Sequence, residues 1–154
     1  MNMSFLNDRL TRGFFAAMIA SVPTIIINFT AYYTIHTSRF SEFASIMIFG
    51  HTSKNLLNII FSMIAVYIFL GILGGFFAYL IKWSTSRNLI FKGFLYGGSL
   101  WFFIYSITKL FKTPEIFQIP LKTAFVNFLA ATIWGITMAY ALRWLDSKTS
   151  KEIM

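Results

Sequence analysis

The stretch Leu56–Ile81 reads LLNIIFSMIAVYIFLGILGGFFAYLI, 26 residues without one charged side chain. A helix rises about 1.5 Å per residue, so about 20 residues cross the roughly 30 Å hydrocarbon core of a bilayer. This segment is long enough to span, with a surplus taken up by tilt or by reaching past the interface. A transmembrane β-strand would be shorter and would alternate apolar with polar residues, a pattern the chain does not show. Three more stretches have the same character: Phe14–Ile35, Leu89–Leu110 and Thr123–Leu142. The expectation is a single all-α, polytopic membrane domain over residues 1–154, with spans near 14–35, 56–81, 89–110 and 123–142.

Composition points the same way. The chain is 57% hydrophobic and only 12% charged. Soluble domains carry about 25% charged residues, so half that share leaves too few charges to coat a water-facing surface. A soluble enzyme and a disordered tail are excluded on this ground. The absence of cysteine removes disulfides, thiol nucleophiles and Cys-based metal sites. Arg9 and Arg12 before the first apolar run give it the look of a signal peptide. Its length exceeds the 7–15 residues of a signal core, and no small-x-small cleavage site follows, so it reads as a retained helix. Pro23 inside it removes one backbone donor and predicts a kink.

The odd spans begin alike, with Arg12-Gly13-Phe14-Phe15 against Lys92-Gly93-Phe94-Leu95, at an offset of 80. The even spans end alike, with Gly74, Ala78, Tyr79, Lys82, Trp83 against Gly135, Ala139, Tyr140, Arg143, Trp144, at an offset of 61. One reading is a parallel duplication of a two-helix hairpin, with a pseudo-twofold axis along the membrane normal. The other is the general gathering of basic and Trp residues at membrane interfaces. Either way the matching ends lie on one side.

Four spans put both termini on that side, with Arg9, Arg12, Lys82, Arg87, Lys92, Arg143, Lys148 and Lys151. The opposite side has Arg39, Lys54, Lys109, Lys112 and Lys122. The positive-inside rule then predicts both termini in the cytoplasm and residues 36–55 and 111–122 outside. The net charge of +8 suits anionic lipid head groups beside the spans, and no nucleic-acid module is present. Trp83 and Trp144 fit an aromatic belt, and Lys92 can snorkel to the same surface. Trp101 and Trp134 fall near mid-span, where an indole N–H wants a partner.

Lipid tails are as apolar as leucine, so membrane helices associate by close packing and hydrogen bonds. Small residues four apart occur in every span: Gly13/Ala17/Ser21, Gly71/Gly75 with Gly74/Ala78, Gly93/Gly97, and Ala131/Gly135/Ala139. They predict a bundle pinched tight towards the cytoplasm. Polar side chains gather towards the outside: Asn28, Thr30, Asn58, Ser62, Tyr105 and Asn127. An unbonded amide in hydrocarbon is costly, so these groups should meet one another or water. Two readings stay open. One is an outward-facing polar vestibule formed by Asn28, Ser62, Asn127 and Tyr105; the other is interhelical hydrogen bonding alone.

In the first connection Phe40, Phe43 and Met47 share helical spacing, with Ser38 as a cap and Gly50 as a stop. The segment is too short to span and reads as an interfacial or re-entrant helix, or as an amphipathic linker at the surface. His36, Glu42 and His51 match no known metal-ligand spacing. Thr113-Pro114-Glu115 to Pro120 reads as a turn, with Pro120 starting the last helix. No Asp or Glu lies within a span, which argues against a proton-driven pump. It also argues against the small multidrug exporters, which have this length and span count but carry a glutamate in the first span. No phosphate loop, HExxH or serine–histidine arrangement is present, so neither catalysis nor a cofactor is expected.

Several motifs together, the Arg-Gly-Phe start, Phe49-Gly50-His51, Lys92-Gly93-Phe94, Trp101-Phe-Phe-Ile-Tyr105 and the ending Ala139-Tyr-Ala-Leu-Arg-Trp-Leu-Asp146, resemble a group of uncharacterised bacterial inner-membrane proteins of the YqhR type. The resemblance covers most of the chain. It implies a four-span layout in the bacterial inner membrane and assigns no functional residues. Two functions fit: an accessory or structural protein whose partners are the lipid bilayer, a membrane protein or further copies of itself, and a small oligomeric channel or passive transport unit.

Overall fold

Two helix starts in this chain are set by polar side chains that take up otherwise unbonded backbone donors. Asp8 Oδ2 accepts from the Thr11 backbone N–H and hydroxyl, both at 3.1 Å, and the Thr11 N–H leads the bonds that hold the Asp8 carboxyl below the usual carboxylate range. Asn55 Oδ1 accepts from the Leu57 N–H at 3.0 Å. Helix ends are marked by left-handed backbone at His36 (φ 52°) and Gly50 (φ 77°). Gly50 bears this conformation without a Cβ penalty.

The computed structural model describes residues 8–38, 40–84, 87–112 and 118–152, with side chains through Lys148. Among them are five helices and no strand: α1 (Arg9–Ile35), α2 (Phe40–Phe49), α3 (Leu56–Trp83), α4 (Leu89–Leu110) and α5 (Leu121–Glu152). All but α2 are long and apolar enough to cross a membrane. Pro23 lies inside α1 without ending it. The start of α3 and both ends of α4 fall where hydropathy changes. α1, in contrast, begins five residues before Phe14, and α5 runs ten residues past Leu142. Charge ends an apolar run but does not end a helix, and no Gly or Pro follows Gly135. Arg39 and the predicted turn at 113–117 lie outside the described residues, as does the Lys151 side chain.

α1 packs on α3 and on α5, α5 packs on α4, and α2 lies against α3. The fourth edge, between α3 and α4, is closed by long side chains. Tyr96 donates its hydroxyl hydrogen bond to the Leu73 carbonyl at 2.8 Å, and the Phe77 and Tyr96 rings lie 5.1 Å apart. The ring order α1–α3–α4–α5 is that of an up-down-up-down bundle. Phe77, Trp134, Met138 and Leu142, none more than 3% exposed, fill its interior towards the end that carries both termini. Trp134 donates its indole N–H to the Ala17 carbonyl at 3.2 Å, tying α5 to α1. At the same end Arg9 Nε donates to the Ala78 carbonyl at 2.8 Å. Arg12 Nε lies 3.2 Å from Asp146 Oδ1, an ion pair off the line of the N–H rather than a hydrogen bond.

Two backbone crossings carry the packing, and they are near copies. A methyl on Gly13 would collide with the Gly74 carbonyl oxygen and stand 2.8 Å from the Ala78 Cβ. A methyl on Gly93 would collide with the Gly135 carbonyl oxygen and stand 2.7 Å from the Ala139 Cβ. A methyl on Gly74 would in turn collide with the Ala17 Cβ, and one on Gly135 would stand 3.1 Å from the backbone N of Gly97. Residues offset by 80 in α1 and α4, and by 61 in α3 and α5, thus occupy matching places. Gly71 and Gly75 face softer neighbours, the Phe14 ring and the Leu10 side chain (Cγ at 3.2 Å).

Gly98 serves as an internal control, because a methyl there meets only Phe128 Cε2 and Thr132 Cγ2, both at 3.6 Å. Gly93→Ala and Gly135→Ala should each destabilise the bundle by about 1–3 kcal/mol through overpacking. Gly98→Ala should be neutral, or stabilising by up to about 1 kcal/mol from helix propensity. Thermal unfolding in detergent checks this; equal stability for all three variants would show that the crossings are not close.

Candidate functional site

The end of the bundle opposite the termini differs from the packed end in one respect: polar side chains are spread over every helix there. Most of them bond locally. Asn28 Nδ2 donates to the Thr24 carbonyl at 2.9 Å, Thr24 Oγ1 to the Ala20 carbonyl at 3.2 Å, and Ser21 Oγ to the Ala17 carbonyl at 3.0 Å. Ser62, with no exposed surface, donates to the Asn58 carbonyl at 2.8 Å. Such bonds to the carbonyl one turn earlier satisfy a hydroxyl donor within its own helix.

Asn127 behaves differently, because its Nδ2 donates across the helix gap to the Tyr105 hydroxyl at 2.9 Å, joining α5 to α4. Trp101 stacks beside Tyr105, with ring centres 4.8 Å apart. It meets Phe128 edge-on at 5.2 Å.

Ser21, Thr24, Asn28, Tyr105 and Asn127 border two hollows rather than one. The first, about 320 Å³, runs between α1 and α3 under α2 and is lined by Ser21, Thr24, Asn28, Tyr67, Met63 and Phe40 among others. The second, about 200 Å³, lies between α2, α4 and α5 and is lined by Glu42, Thr52, Tyr105, Thr123 and Asn127 among others. α2 contributes Phe40 and Ser41 to the first and Glu42, Phe43 and Ile46 to the second, so it stands between them. Asn28 therefore faces one hollow while Asn127 and Tyr105 face the other, and Ser62 lines neither. A larger hollow, about 620 Å³, is an open furrow along α4 beside Gly98, walled mainly by Phe and Leu side chains. Its shape and lining are those of a helix surface and not of a site.

Two residues not singled out by sequence reasoning stand out in these walls. Tyr67 lines the first hollow and Thr123 the second, and each carries a buried hydroxyl oxygen with no hydrogen-bond partner among the described residues. Their signal in the sequence is slight: a Tyr amid Ile and Phe, and a Thr at the first turn of a helix. No group of three or more His, Cys, Asp or Glu that could hold a metal ion occurs among the described residues. Comparison with protein-family models, curated proteins and solved structures finds no match to this chain.

The Asn127–Tyr105 bond can be weighed directly. A double-mutant cycle with Asn127→Leu and Tyr105→Phe should return a coupling of about 0.6 kcal/mol and no more than about 1.7, the range for hydrogen bonds between membrane helices. A coupling of zero by thermal or denaturant unfolding would remove this bond as a link between α4 and α5.

Proposed function

We propose that the protein is a multi-pass membrane protein of accessory or structural type, acting through contact with partner proteins or lipids and not through catalysis or permeation. The observation that carries this reading is the filled interior: Phe77, Trp134, Met138 and Leu142 occupy the space between the helices. The backbone crossings at Gly13/Gly74 and Gly93/Gly135 hold those helices together at the same end. Water has no path along such an interior, and a polar vestibule opening on the far side would lead nowhere within one chain. The four long apolar helices support insertion in a bilayer, and their outward faces, with Val22, Ile26, Phe61, Phe76 and Phe102 exposed, suit lipid or a second membrane helix.

In this reading the termini are cytoplasmic, by the positive-inside rule, and the membrane is the bacterial inner membrane, by the YqhR-type resemblance. The repeated crossing supports descent of the two hairpins from one ancestor. α2, with apolar residues at its start and end, lies at the outer interface.

Two measurements test the proposal. Purified protein in liposomes should pass no more ions than empty liposomes do; stepwise conductance would favour the oligomeric channel instead. Lys54 and Ser147 are both exposed and the chain has no cysteine, so each can carry a unique thiol. An impermeant thiol reagent should label Lys54→Cys in intact cells and Ser147→Cys only after lysis. Labelling of Ser147→Cys in intact cells would invert the topology.

A further inference from the structure

The matching crossings allow the two hairpins to be compared position by position. At offset 80, Ser21 in α1 corresponds to Trp101 in α4; at offset 61, Tyr67 in α3 corresponds to Phe128 in α5. In the second hairpin the gap above the crossing is filled by the Trp101–Phe128 contact, with rings 5.2 Å apart and edge-on. In the first hairpin a serine stands where the indole would be, and the 320 Å³ hollow occupies the space. The position held by Phe128 is taken by Tyr67, whose added hydroxyl is buried and has no partner among the described residues. One hairpin is plugged by its own side chains; the other keeps a slot, and puts a free hydrogen-bonding group in its wall.

The slot has a definite shape and chemistry. Along α1 its walls run from Ser21 to Tyr33, about 18 Å at helical rise. With about 320 Å³ over that length, it takes a slender chain and not a helix, whose diameter with side chains is about 10–12 Å. Its mouth is formed by Tyr33, Phe29 and Leu56, each more than half exposed on the bundle's side, so it opens laterally. Among its described lining residues none is charged. Ser21, Thr24 and Asn28 direct their donors to backbone carbonyls, and the Tyr67 hydroxyl is the buried donor in this lining without a partner among the described residues. A buried hydroxyl without a partner is costly, and a ligand oxygen relieves that cost once the Tyr67 side chain turns its hydroxyl into the slot.

We infer that the α1–α2–α3 slot binds an uncharged, single-chain amphiphile from the side, with a hydroxyl or carbonyl oxygen of the ligand at Tyr67. A cationic or anionic head would lie unpaired in this lining, and a plain alkane would leave Tyr67 unsatisfied. The inference concerns one corner of the bundle and stands apart from the accessory reading, since it holds whether or not a protein partner exists.

The test uses the full chain in phosphatidylcholine vesicles and an n-decanol analogue carrying a photoreactive diazirine. Labelling should saturate and map to peptides within 21–33 and 56–70. Unlabelled 1-decanol should compete, with decane weaker and decyltrimethylammonium ineffective. Two variants copy the plugged hairpin. Ser21→Trp should abolish the saturable labelling. Tyr67→Phe, which removes a single oxygen and preserves packing, should weaken competition by 1-decanol about three- to tenfold and leave decane unchanged. If Ser21→Trp fails to fold, as judged by its melting curve, Tyr67→Phe alone decides. Labelling that never saturates, or that falls equally on the outer face of α4, would overturn the site. Decane competing as well as 1-decanol, with Tyr67→Phe indifferent, would overturn the role of the Tyr67 hydroxyl and with it the ligand class.

Discussion

A glycine Cα set against a carbonyl oxygen of the neighbouring helix is the constraint from which the remaining packing follows. At Gly13/Gly74 and at Gly93/Gly135 the backbones come so near that a single methyl cannot be added. Within a bilayer, where apolar side chains gain nothing by leaving lipid, dispersion between backbones would be the main attraction open to such helices. Fixing two helices at one end fixes the angle at which they part, and therefore the size of the gap above. The large side chains then have their places assigned. Trp134 reaches the Ala17 carbonyl and Tyr96 the Leu73 carbonyl, because these lie beside the crossings.

What differs between the hairpins is how that imposed gap is used. α4 and α5 close theirs with Trp101, Phe128 and the Asn127–Tyr105 bond. α1 and α3 diverge over a lining of small hydroxyls, an amide and Tyr67. The same backbone frame thus leaves a hollow of about 320 Å³ above one crossing and an aromatic plug above the other, with a smaller hollow of about 200 Å³ beyond it, and the contrast rests on very few residues. Small changes in side-chain volume above a fixed crossing have large effects on internal space, because the backbone cannot close in to compensate.

The helices were legible in the sequence to the degree that apolar runs mark them. Ile35, Leu56, Leu89 and Leu110 mark both a change in hydropathy and the end of a helix, because polar residues such as Asn55, His36 and Asn88 follow or precede them. Hydropathy was blind to Arg9–Gly13 and to Arg143–Glu152, which continue the helices through residues that water and lipid treat differently but the backbone does not. The Gly-x-x-x-Ala frame was readable as a repeat, whereas its contact partners were not. Depth along a span can be counted in residues, yet the direction around the axis depends on which neighbour a helix meets. Asn28 and Asn127 lie at similar depth and turn to different gaps. Tyr67 and Thr123 escaped notice for the same reason, since a hydroxyl matters only when its surroundings leave it unbonded.

The length of α5 has a mechanical consequence. Its 32 residues extend about 48 Å, of which the apolar run 123–142 accounts for about 30 Å. The ten residues after Leu142 form a stiff strut about 15 Å long, clamped near its base where Asp146 pairs with Arg12 of α1. A strut held in this way transmits torque. Rotation of α5 within the bundle would swing Arg143 and Lys148 around the axis, so that a change of packing inside the bundle would emerge as an angular displacement beyond it.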